Sequence, residues 1–321
     1  MTARPTSALR AGLAAVIVTV GAACSHHPGS GAPPAASQAR ASSAPRATAG
    51  PATAFPSFSH VVIVVMENHE YGQIIGNQEA PYINRLARRY SLVTHAYAIG
   101  HPSLPNYLAL IGGATFGISS DCTACHVHAR NLVDQLEQHG TTWKAYMEGL
   151  PHPCYGGATY GRYAKKHDPF LYFDDIRTSA SRCARVVGLR QLWTDLSHGS
   201  LPAFAFVTPD LCHDMHDCPV RTGDAFLKRR LPALLSALGP TGVLFLTWDE
   251  GTTDAGCCRK ASGGHVVTIV AGPAARAGAR SPYRYDPYSI LRTIERAWGL
   301  PLLRAAGCPC TRSLRPFLVT G

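Results

Sequence analysis

The chain has 321 residues, of which 46% are hydrophobic and 16% are charged, so it can bury one large core or two modest ones. Its formal net charge of +10 suits an anionic molecule or a membrane surface as a partner. The positive residues are scattered and no nucleic-acid-binding motif accompanies them, so we expect no nucleic-acid partner.

The N-terminus has the layout of an export signal, in which Arg4 and Arg10 precede a short apolar stretch. We expect residues 1–23 to be a signal peptide, whose removal takes the net charge from +10 to +8 because both arginines leave with it. The residues before Cys24 resemble a bacterial lipoprotein cleavage site, although one position departs from the usual pattern, so acylation of Cys24 stays open. The mature protein is therefore expected to be exported, either secreted or lipid-anchored at the outer face of the bacterial cell membrane.

Residues 24–57 are rich in Ala, Pro and Ser, which predicts an extended tether. From residue 58 to 321, strand-like runs alternate with helical patterns, which predicts one α/β domain with a doubly wound, mostly parallel sheet and helices on both faces. The helical patterns include NLVDQLEQHG (131–140), FLKRRLPALLSALG (226–239) and PYSILRTIERAWG (287–299). Loops rich in cysteine and glycine are expected at 119–128, 152–163 and 251–264. Nothing in this pattern demands an oligomer.

The cysteine content predicts disulfide-tied loops. The chain has 11 cysteines, and setting aside Cys24 leaves 10, an even number that allows five disulfides in an oxidising compartment. Zinc ligation is the alternative, because several cysteines are closely spaced, but no pair has finger-like spacing with histidines. The close pairs are Cys122/Cys125, Cys212/Cys218, Cys257/Cys258 and Cys308/Cys310.

Three apolar runs each end in acidic residues. The runs are HVVIVVMEN (60–68), AFAFVTPD (203–210) and GVLFLTWDE (242–250). Each is typical of a strand buried on both faces, and ligands bind at the carboxyl ends of such parallel strands. The side chains expected to converge there are Glu67, Asn68, Asp210, Asp249 and Glu250. Acidic residues can merely close strands where turns begin, but three such ends in a chain with few charges favour a site.

The motif HPSLPNY (101–107) precedes an apolar stretch and predicts a helix that Ser103 caps, with Pro105 in its first turn. A hydroxyl at a helix N-terminus lies where an anion is favoured, and a metal ion on its oxygen would make it a nucleophile. Asn106, one turn on, could donate to a phosphoryl oxygen. The alternative is that Ser103 is only a cap.

Six short motifs occur in an order that resembles the bacterial phosphoesterase family. They are ENH (67–69), HPSLPNY (101–107), KKHDPF (165–170), TPDLCHDMHD (208–217), TWDEG (247–251) and GGHV (263–266). That family includes acid phosphatases and phospholipases C and belongs to the alkaline phosphatase superfamily. The resemblance covers roughly residues 58–300, and within the family the chain looks most similar to mycobacterial secreted acid phosphatases.

The resemblance implies that Ser103 is the nucleophile and that a divalent metal ion of unknown identity is held against it. The ligands it implies are Glu67, Asn68, Asp249 and Glu250 together with Ser103, and hard oxygen donors suit such an ion. Asn68 and Asn106 would also contact the substrate.

The resemblance leaves two roles open for the histidines. In the wider superfamily a second metal is held by an aspartate and histidines, for which Asp210, His213, His216 and His265 are available. In the acid phosphatase branch the histidines instead bind phosphate, and we favour this arrangement, with one metal ion. His213 or His167 would then protonate the leaving group, and His216 and His265 would contact the substrate.

The expected reaction is in-line attack on phosphorus with a phosphoserine intermediate. The chain stops soon after the last motif, which favours a phosphomonoesterase over a phospholipase C or phosphodiesterase. The substrate would be a small-molecule or lipid phosphate ester, and similarity to the mycobacterial enzymes makes phosphatidylinositol 3-phosphate a candidate. A non-catalytic phosphate-binding surface lipoprotein and, at lower rank, a sulfatase remain alternatives. We expect a monomer that can meet a membrane surface through an acylated Cys24.

Overall fold

The three apolar runs form neighbouring strands at the centre of a seven-stranded sheet. The computed structural model describes residues 55–258 and 260–319. Its strands are β1 (Val61–Met66), β2 (Ser91–Leu92), β3 (Ala96–Tyr97), β4 (Trp143–Met147), β5 (Thr159–Tyr160), β6 (Tyr163–Ala164), β7 (Val186–Gly188), β8 (Phe204–Thr208), β9 (Val243–Trp248), β10 (His265–Val266) and β11 (Thr268–Ala271). The order in the main sheet is β2-β11-β9-β1-β8-β4-β7, and β3/β10 and β5/β6 form two small antiparallel pairs.

The sheet is mostly parallel, as predicted. Strands β9, β1, β8, β4 and β7 run parallel to one another, whereas β11 is antiparallel to both β9 and β2. Every residue of β1, β8 and β9 is buried, which requires cover on both faces because side chains alternate between the faces of a sheet. This explains why the three runs lack an alternation of polar and apolar residues.

Two groups of helices provide this cover. The helices are α1 (Tyr71–Ile74), α2 (Pro81–Arg89), α3 (Ser103–Gly112), α4 (Leu132–Gln138), α5 (Asp174–Arg177), α6 (Ala180–Cys183), α7 (Arg190–Ser197), α8 (Val220–Ala237) and α9 (Pro287–Ala297). Helix α8 packs against α2 and α7, and α3 packs against α4 and α9. The predicted helices at 131–140, 226–239 and 287–299 correspond to α4, α8 and α9, so the doubly wound α/β architecture is confirmed.

The strand register brings the acidic ends to one edge of the sheet. Met66 at the end of β1 lies opposite Trp248 at the end of β9, and Val64 of β1 lies opposite Val207 of β8. The residues that follow these strands therefore leave the sheet at the same level. Main-chain hydrogen bonds continue the pairing past β1, since Asp249 N donates to Met66 O over 2.9 Å.

Within the described residues, four disulfides tie the loops, one fewer than the five that ten cysteines allow. They join Cys122–Cys125, Cys154–Cys183, Cys212–Cys218 and Cys308–Cys310. Cys257 and Cys258 are free, so the fifth disulfide is not formed. Three of the four bonds link cysteines two to six residues apart, and each closes a local turn.

The predicted signal peptide, Cys24 and nearly all of the tether lie outside the described residues. The described residues belong to one compact unit. Among them, no helix has both the length and the apolar composition needed to cross a bilayer.

Truncating Phe206 tests the core beneath the acidic edge. Phe206 is fully buried in β8, and its ring meets Phe170 edge-on with the centroids 5.3 Å apart. We expect Phe206→Ala to lower the free energy of unfolding by about 3–5 kcal/mol, because it leaves a cavity that the rigid sheet cannot close. Urea denaturation measures this loss. The control is Tyr160→Ala, whose side chain is 57% exposed and whose loss should change stability by only about 0.5 kcal/mol.

Candidate active site

Glu67 lies at the centre of the acidic edge, immediately after β1, and is fully buried. Its two carboxylate oxygens contact the same helix. The Tyr107 hydroxyl donates to Oε1, and Ser103 Oγ lies 3.2 Å from Oε2. Ser103 and Tyr107 are four residues apart in α3, so their side chains share one face of that helix. The carboxylate therefore fastens the N-terminal half of α3 to the end of the central strand.

Ser103 is the first residue of α3 and does not cap it. Pro102 occupies the cap position, and no side chain caps the first turn. The Ser103 hydroxyl lies 3.0 Å from Glu250 Oε1 and 3.2 Å from Glu67 Oε2, and it is fully buried. The helix was predicted correctly, but the capping role was wrong, because the hydroxyl points at two carboxylates from different strand ends.

Asn106 has its amide fully engaged with the main chain. Its Oδ1 accepts from the N–H of Ile99 at 2.8 Å and of Gly100 at 3.3 Å. Its Nδ2 donates to the carbonyls of Gly100 at 2.8 Å and Pro102 at 3.2 Å. The predicted contact with a phosphoryl oxygen does not fit this geometry, since both amide hydrogens are taken. Asn106 instead shapes the segment that leads into Ser103.

Asp249 and Glu250 follow β9 and reach the same place. Asp249 Oδ1 accepts from the backbone N–H of Asn68 at 3.2 Å, while Oδ2 is buried and has no hydrogen-bond partner. Ser103 Oγ contacts Glu250 Oε1, and His101 Nδ1 contacts Glu250 Oε2. Asn68 is half-buried and has a φ of 53°, so its backbone turns sharply at the strand end.

His167 is the predicted histidine that the structure brings to Glu67. It is buried, and its Nε2 lies 3.2 Å from Glu67 Oε2 while Nδ1 lies 3.4 Å from Asp214 Oδ2. Its ring stacks on Tyr107 with the centroids 5.2 Å apart. Neither Nε2 nor Asp214 Oδ2 has geometry suitable for a hydrogen bond, so both atoms stay unsatisfied.

Asp210 and His213 form a separate group with Glu148. His213 Nδ1 lies 2.9 Å from Glu148 Oε2, which also accepts from Asp210 N at 3.0 Å. In the described part of the chain, no hydrogen bond or ion pair joins either residue to Ser103. These contacts therefore give no support to His213 as the acid beside Ser103 or to Asp210 as a ligand of a metal held there, and both roles stay predictions.

His216 and His265 also differ in their surroundings. His216 packs beside His167 with the ring centroids 5.8 Å apart, and its Nε2 lies 3.2 Å from Lys166 Nζ. His265 is instead stacked between Tyr71 and Tyr97, and its Nε2 lies 2.8 Å from the carbonyl oxygen of Thr94. The structure thus places His216 at the site and gives His265 contacts with an aromatic cluster.

Burial dominates the electrostatics of the site. It raises the pKa of Glu67 to about 8 and that of Asp214 to about 7, and it holds the pKa of Asp249 well above the ordinary value. Burial lowers the pKa of His167. The pKa of Lys166 is raised, because the nearby carboxylates, Asp121 first among them, outweigh the opposing effect of burial.

The chemistry of the donors suits a divalent metal ion. Glu67, Asp249 and Glu250 carry hard carboxylate oxygens near Ser103, and the buried Asp249 Oδ2 has no hydrogen-bond partner. Two other groups, Glu67 with His167 and Asp214 and Glu148 with Asp210 and His213, have ligand atoms that lie within 4.8 Å of one another. In this last group, Asp210 Oδ1 already accepts from two backbone N–H groups of its own turn.

The sequence interpretation assigned no role to several residues of the site. Tyr107 could have been found, because it lies four residues after Ser103 and must share its helix face. Lys166 stands beside His167 in the KKHDPF motif, and Asp214 stands within TPDLCHDMHD. No sequence signal marks Asp121, which reaches the site from a loop.

Comparison with known proteins identifies the family. A model of the phosphoesterase family matches residues 77–301. The phosphatidylinositol-3-phosphatase of Mycobacterium tuberculosis is 37% identical over 254 residues, which cover 78% of this chain and 80% of that protein. An acid phosphatase of Aspergillus fumigatus is 27% identical over 265 residues, and there the match covers 78% of this chain but 57% of the relative. The chain belongs to the phosphoesterase family, as its six motifs predict, and the names of these relatives support a phosphate ester hydrolase.

Solved structures agree on the fold. A protein of the alkaline phosphatase superfamily from Vibrio parahaemolyticus has a TM-score of 0.52 and 15% identity, over 81% of this chain and 72% of its own. The lipoteichoic acid synthase LtaP of Listeria monocytogenes has a TM-score of 0.53 and 9% identity, over 78% and 75%. At these identities the likeness shows an alkaline phosphatase-like fold alone.

Buried Glu67 predicts that the metal-free protein loses stability as pH rises. Its pKa in the folded chain is about 8 against an ordinary 4.5, so the folded state holds a proton that the unfolded state has released. The lowered pKa of His167 makes stability rise with pH, but only up to the ordinary histidine pKa of 6.5. From pH 6.5 to beyond pH 8, with chelator present, we therefore expect the melting temperature to fall, and to fall less steeply in Glu67→Gln. An identical slope in this variant would contradict the assignment, and exposed Glu79→Gln is the control.

Proposed function

We propose that the chain is an exported, metal-dependent phosphomonoesterase with Ser103 as its nucleophile. The observation that carries the proposal is the buried Ser103 hydroxyl at the start of α3, within 3.0–3.2 Å of carboxylates from two strand ends. A hydroxyl in that position has acceptors for its proton and lies where backbone N–H groups favour an anion. The phosphatases among its relatives point to the same chemistry.

The chain's own residues account for proton transfer and attack. The proton of Ser103 passes to Glu250 or Glu67, and Oγ attacks phosphorus opposite the departing alcohol oxygen, forming a phosphoserine as the ester bond breaks. Water then attacks the phosphoserine, which releases inorganic phosphate and returns a proton to Ser103. Glu67 and Tyr107 keep the hydroxyl in place throughout, because they fasten α3 to β1.

His167 is the best candidate to protonate the leaving group. Its Nε2 is buried without a hydrogen-bond partner, whereas His213 Nδ1 already lies against Glu148. Because burial lowers the pKa of His167, the protonated ring is a stronger acid than an exposed histidine and is populated at acidic pH. This property suits an acid phosphatase.

The metal ion would be held by Glu67, Asp249 and Glu250, with Asn68 as a further candidate ligand. When bound, it would offset the charge of the buried carboxylates and lower the pKa of the Ser103 hydroxyl. Burial raises the pKa values of Glu67 and Asp249, and a cation bound between them would favour their charged forms.

The proposed substrate is a phosphate monoester, with phosphatidylinositol 3-phosphate as a lipid candidate. The Mycobacterium tuberculosis relative carries that activity in its name and shares 37% identity over most of both chains. Four disulfides support folding in an oxidising compartment and hence export, whether the mature protein is secreted or held at the membrane through Cys24. We propose a monomer.

Replacing the nucleophile tests the proposal directly. We expect Ser103→Ala to reduce kcat on an aryl phosphate monoester by at least about a thousandfold while the protein stays folded at the assay temperature. Exposed Ser197→Ala should retain full activity. Assays with the matching phosphodiester and a phosphocholine ester run in parallel. Turnover confined to those two substrates would identify a phosphodiesterase or phospholipase C, and binding without turnover of any ester would identify a phosphate-binding protein.

Metal removal gives a second test. Dialysis against chelator should abolish monoester hydrolysis, and a divalent cation should restore it, because the three carboxylates would otherwise face Ser103 without a counter-charge. Asp249→Asn should need a higher metal concentration for the same recovery. Full activity in chelator, with no metal detected by mass spectrometry, would refute the metal-dependent form of the proposal.

A further inference from the structure

Asp121 lies against the start of helix α3, next to the proposed nucleophile. Its Oδ1 accepts from the backbone N–H of Leu104 at 3.0 Å, and Leu104 directly follows Ser103. Its Oδ2 lies 3.1 Å from Lys166 Nζ. The carboxylate therefore bridges a backbone N–H in the first turn of a helix and an ammonium group.

These two donors are the groups that recognise phosphate oxygens. Backbone N–H groups in the first turn of a helix and lysine ammonium groups both bind phosphoryl anions in proteins. His167, the residue after Lys166, also has an unsatisfied polar atom. It is 3% exposed, its Nε2 lies 3.2 Å from Glu67 Oε2 without hydrogen-bond geometry, and its ring packs against His216, which contacts Lys166. A buried ring nitrogen in the neighbourhood of Lys166 therefore lacks a hydrogen-bond partner within the described residues.

The loop that carries Asp121 is held in place but leaves its carboxylate able to move. The adjacent Cys122–Cys125 disulfide closes this loop, and Lys165 Nζ donates to the carbonyl of Thr123 at 2.9 Å. The side chain of Asp121 is 26% exposed, so the carboxylate can turn toward solvent without unfolding the loop. A phosphoryl oxygen could then take its place.

We propose that Leu104 N–H and Lys166 form a phosphoryl-oxygen subsite, and that Asp121 occupies this subsite whenever no phosphate is bound. Asp121 is then an internal competitor. It weakens the binding of every ligand that uses the subsite, and its return helps to expel inorganic phosphate after hydrolysis. This inference rests on the proposed function for the identity of the ligand, although it concerns binding and requires no turnover.

The opposite role for Asp121 would be to position Lys166. In that case the carboxylate would hold the ammonium group where substrate needs it, and its loss would weaken phosphate binding. Competition predicts that its loss strengthens binding. The two roles are therefore separated by the sign of one measured change.

Calorimetric titration with inorganic phosphate tests the inference on the intact exported chain, loaded with the same divalent metal throughout. We expect Asp121→Asn to lower the Kd for phosphate about fivefold, because a competing ion pair of this exposure has been removed. Lys166→Gln should raise the Kd. In the Lys166→Gln background, Asp121→Asn should lower the Kd for phosphate by a smaller factor than it does in the wild-type background. Asp174→Asn is the matched control, because Asp174 pairs with Arg177 instead of with a residue of the site.

A Kd that rises in Asp121→Asn would overturn competition in favour of positioning, and an unchanged Kd would remove Asp121 from the subsite altogether. Asp121→Ser gives a second variant, so that one poorly folded protein cannot decide the result. Tighter phosphate binding in a chain that hydrolyses no ester would support the subsite while refuting the proposed catalysis. Normal ester hydrolysis together with an unchanged Kd in Asp121→Asn would support the proposed catalysis while refuting the role of Asp121 in the subsite.

Discussion

The site depends on one buried carboxylate, Glu67, placed where the central strand of the sheet ends. A carboxylate without access to water is costly unless hydrogen-bond donors or cations surround it. Tyr107 and Ser103 contact its two oxygens, and His167 lies against one of them. These groups come from a helix and from a short turn that are distant from β1 in sequence. The need to satisfy this one group therefore brings Ser103, His167 and the strand end together.

The parts of this arrangement set by strand geometry could be predicted from sequence. Runs of Val, Ile, Leu and Phe without alternation identify strands buried on both faces, and parallel strands must end at the same edge. Those two facts predict that Glu67, Asp249 and Glu250, which directly follow the strands, lie together at one edge of the sheet. Predictions based on local spacing fared worse. Ser103 was assigned a capping role because serine is common at that position, yet its hydroxyl finds stronger acceptors in carboxylates across the sheet edge. Asn106 likewise bonds to the backbone nearby.

The contributions of the loops could not be predicted, because they depend on contacts that no short-range pattern encodes. Asp214 reaches the site because its carbonyl accepts from the N–H of Glu67 at 2.9 Å, which fixes the turn of 210–218 to the end of β1. The same turn carries His213 toward Glu148 and His216 toward Lys166. One turn thus sends two histidines, three residues apart, to different partners. Sequence order alone could not show which of them would contact Lys166, nor that His265 would stack against tyrosines.

The charges of the site lie in two layers, one buried and one partly exposed. Glu67, Asp249 and Asp214 are almost completely buried, whereas the side chains of Lys166, His216 and His101 are 21%, 26% and 36% exposed. Under the proposed function, an incoming phosphate anion would meet the exposed layer first. The carboxylates beneath would repel it unless a cation or protons offset their charge. Affinity would then depend mainly on the outer layer, and reaction with Ser103 would depend on neutralising the inner one.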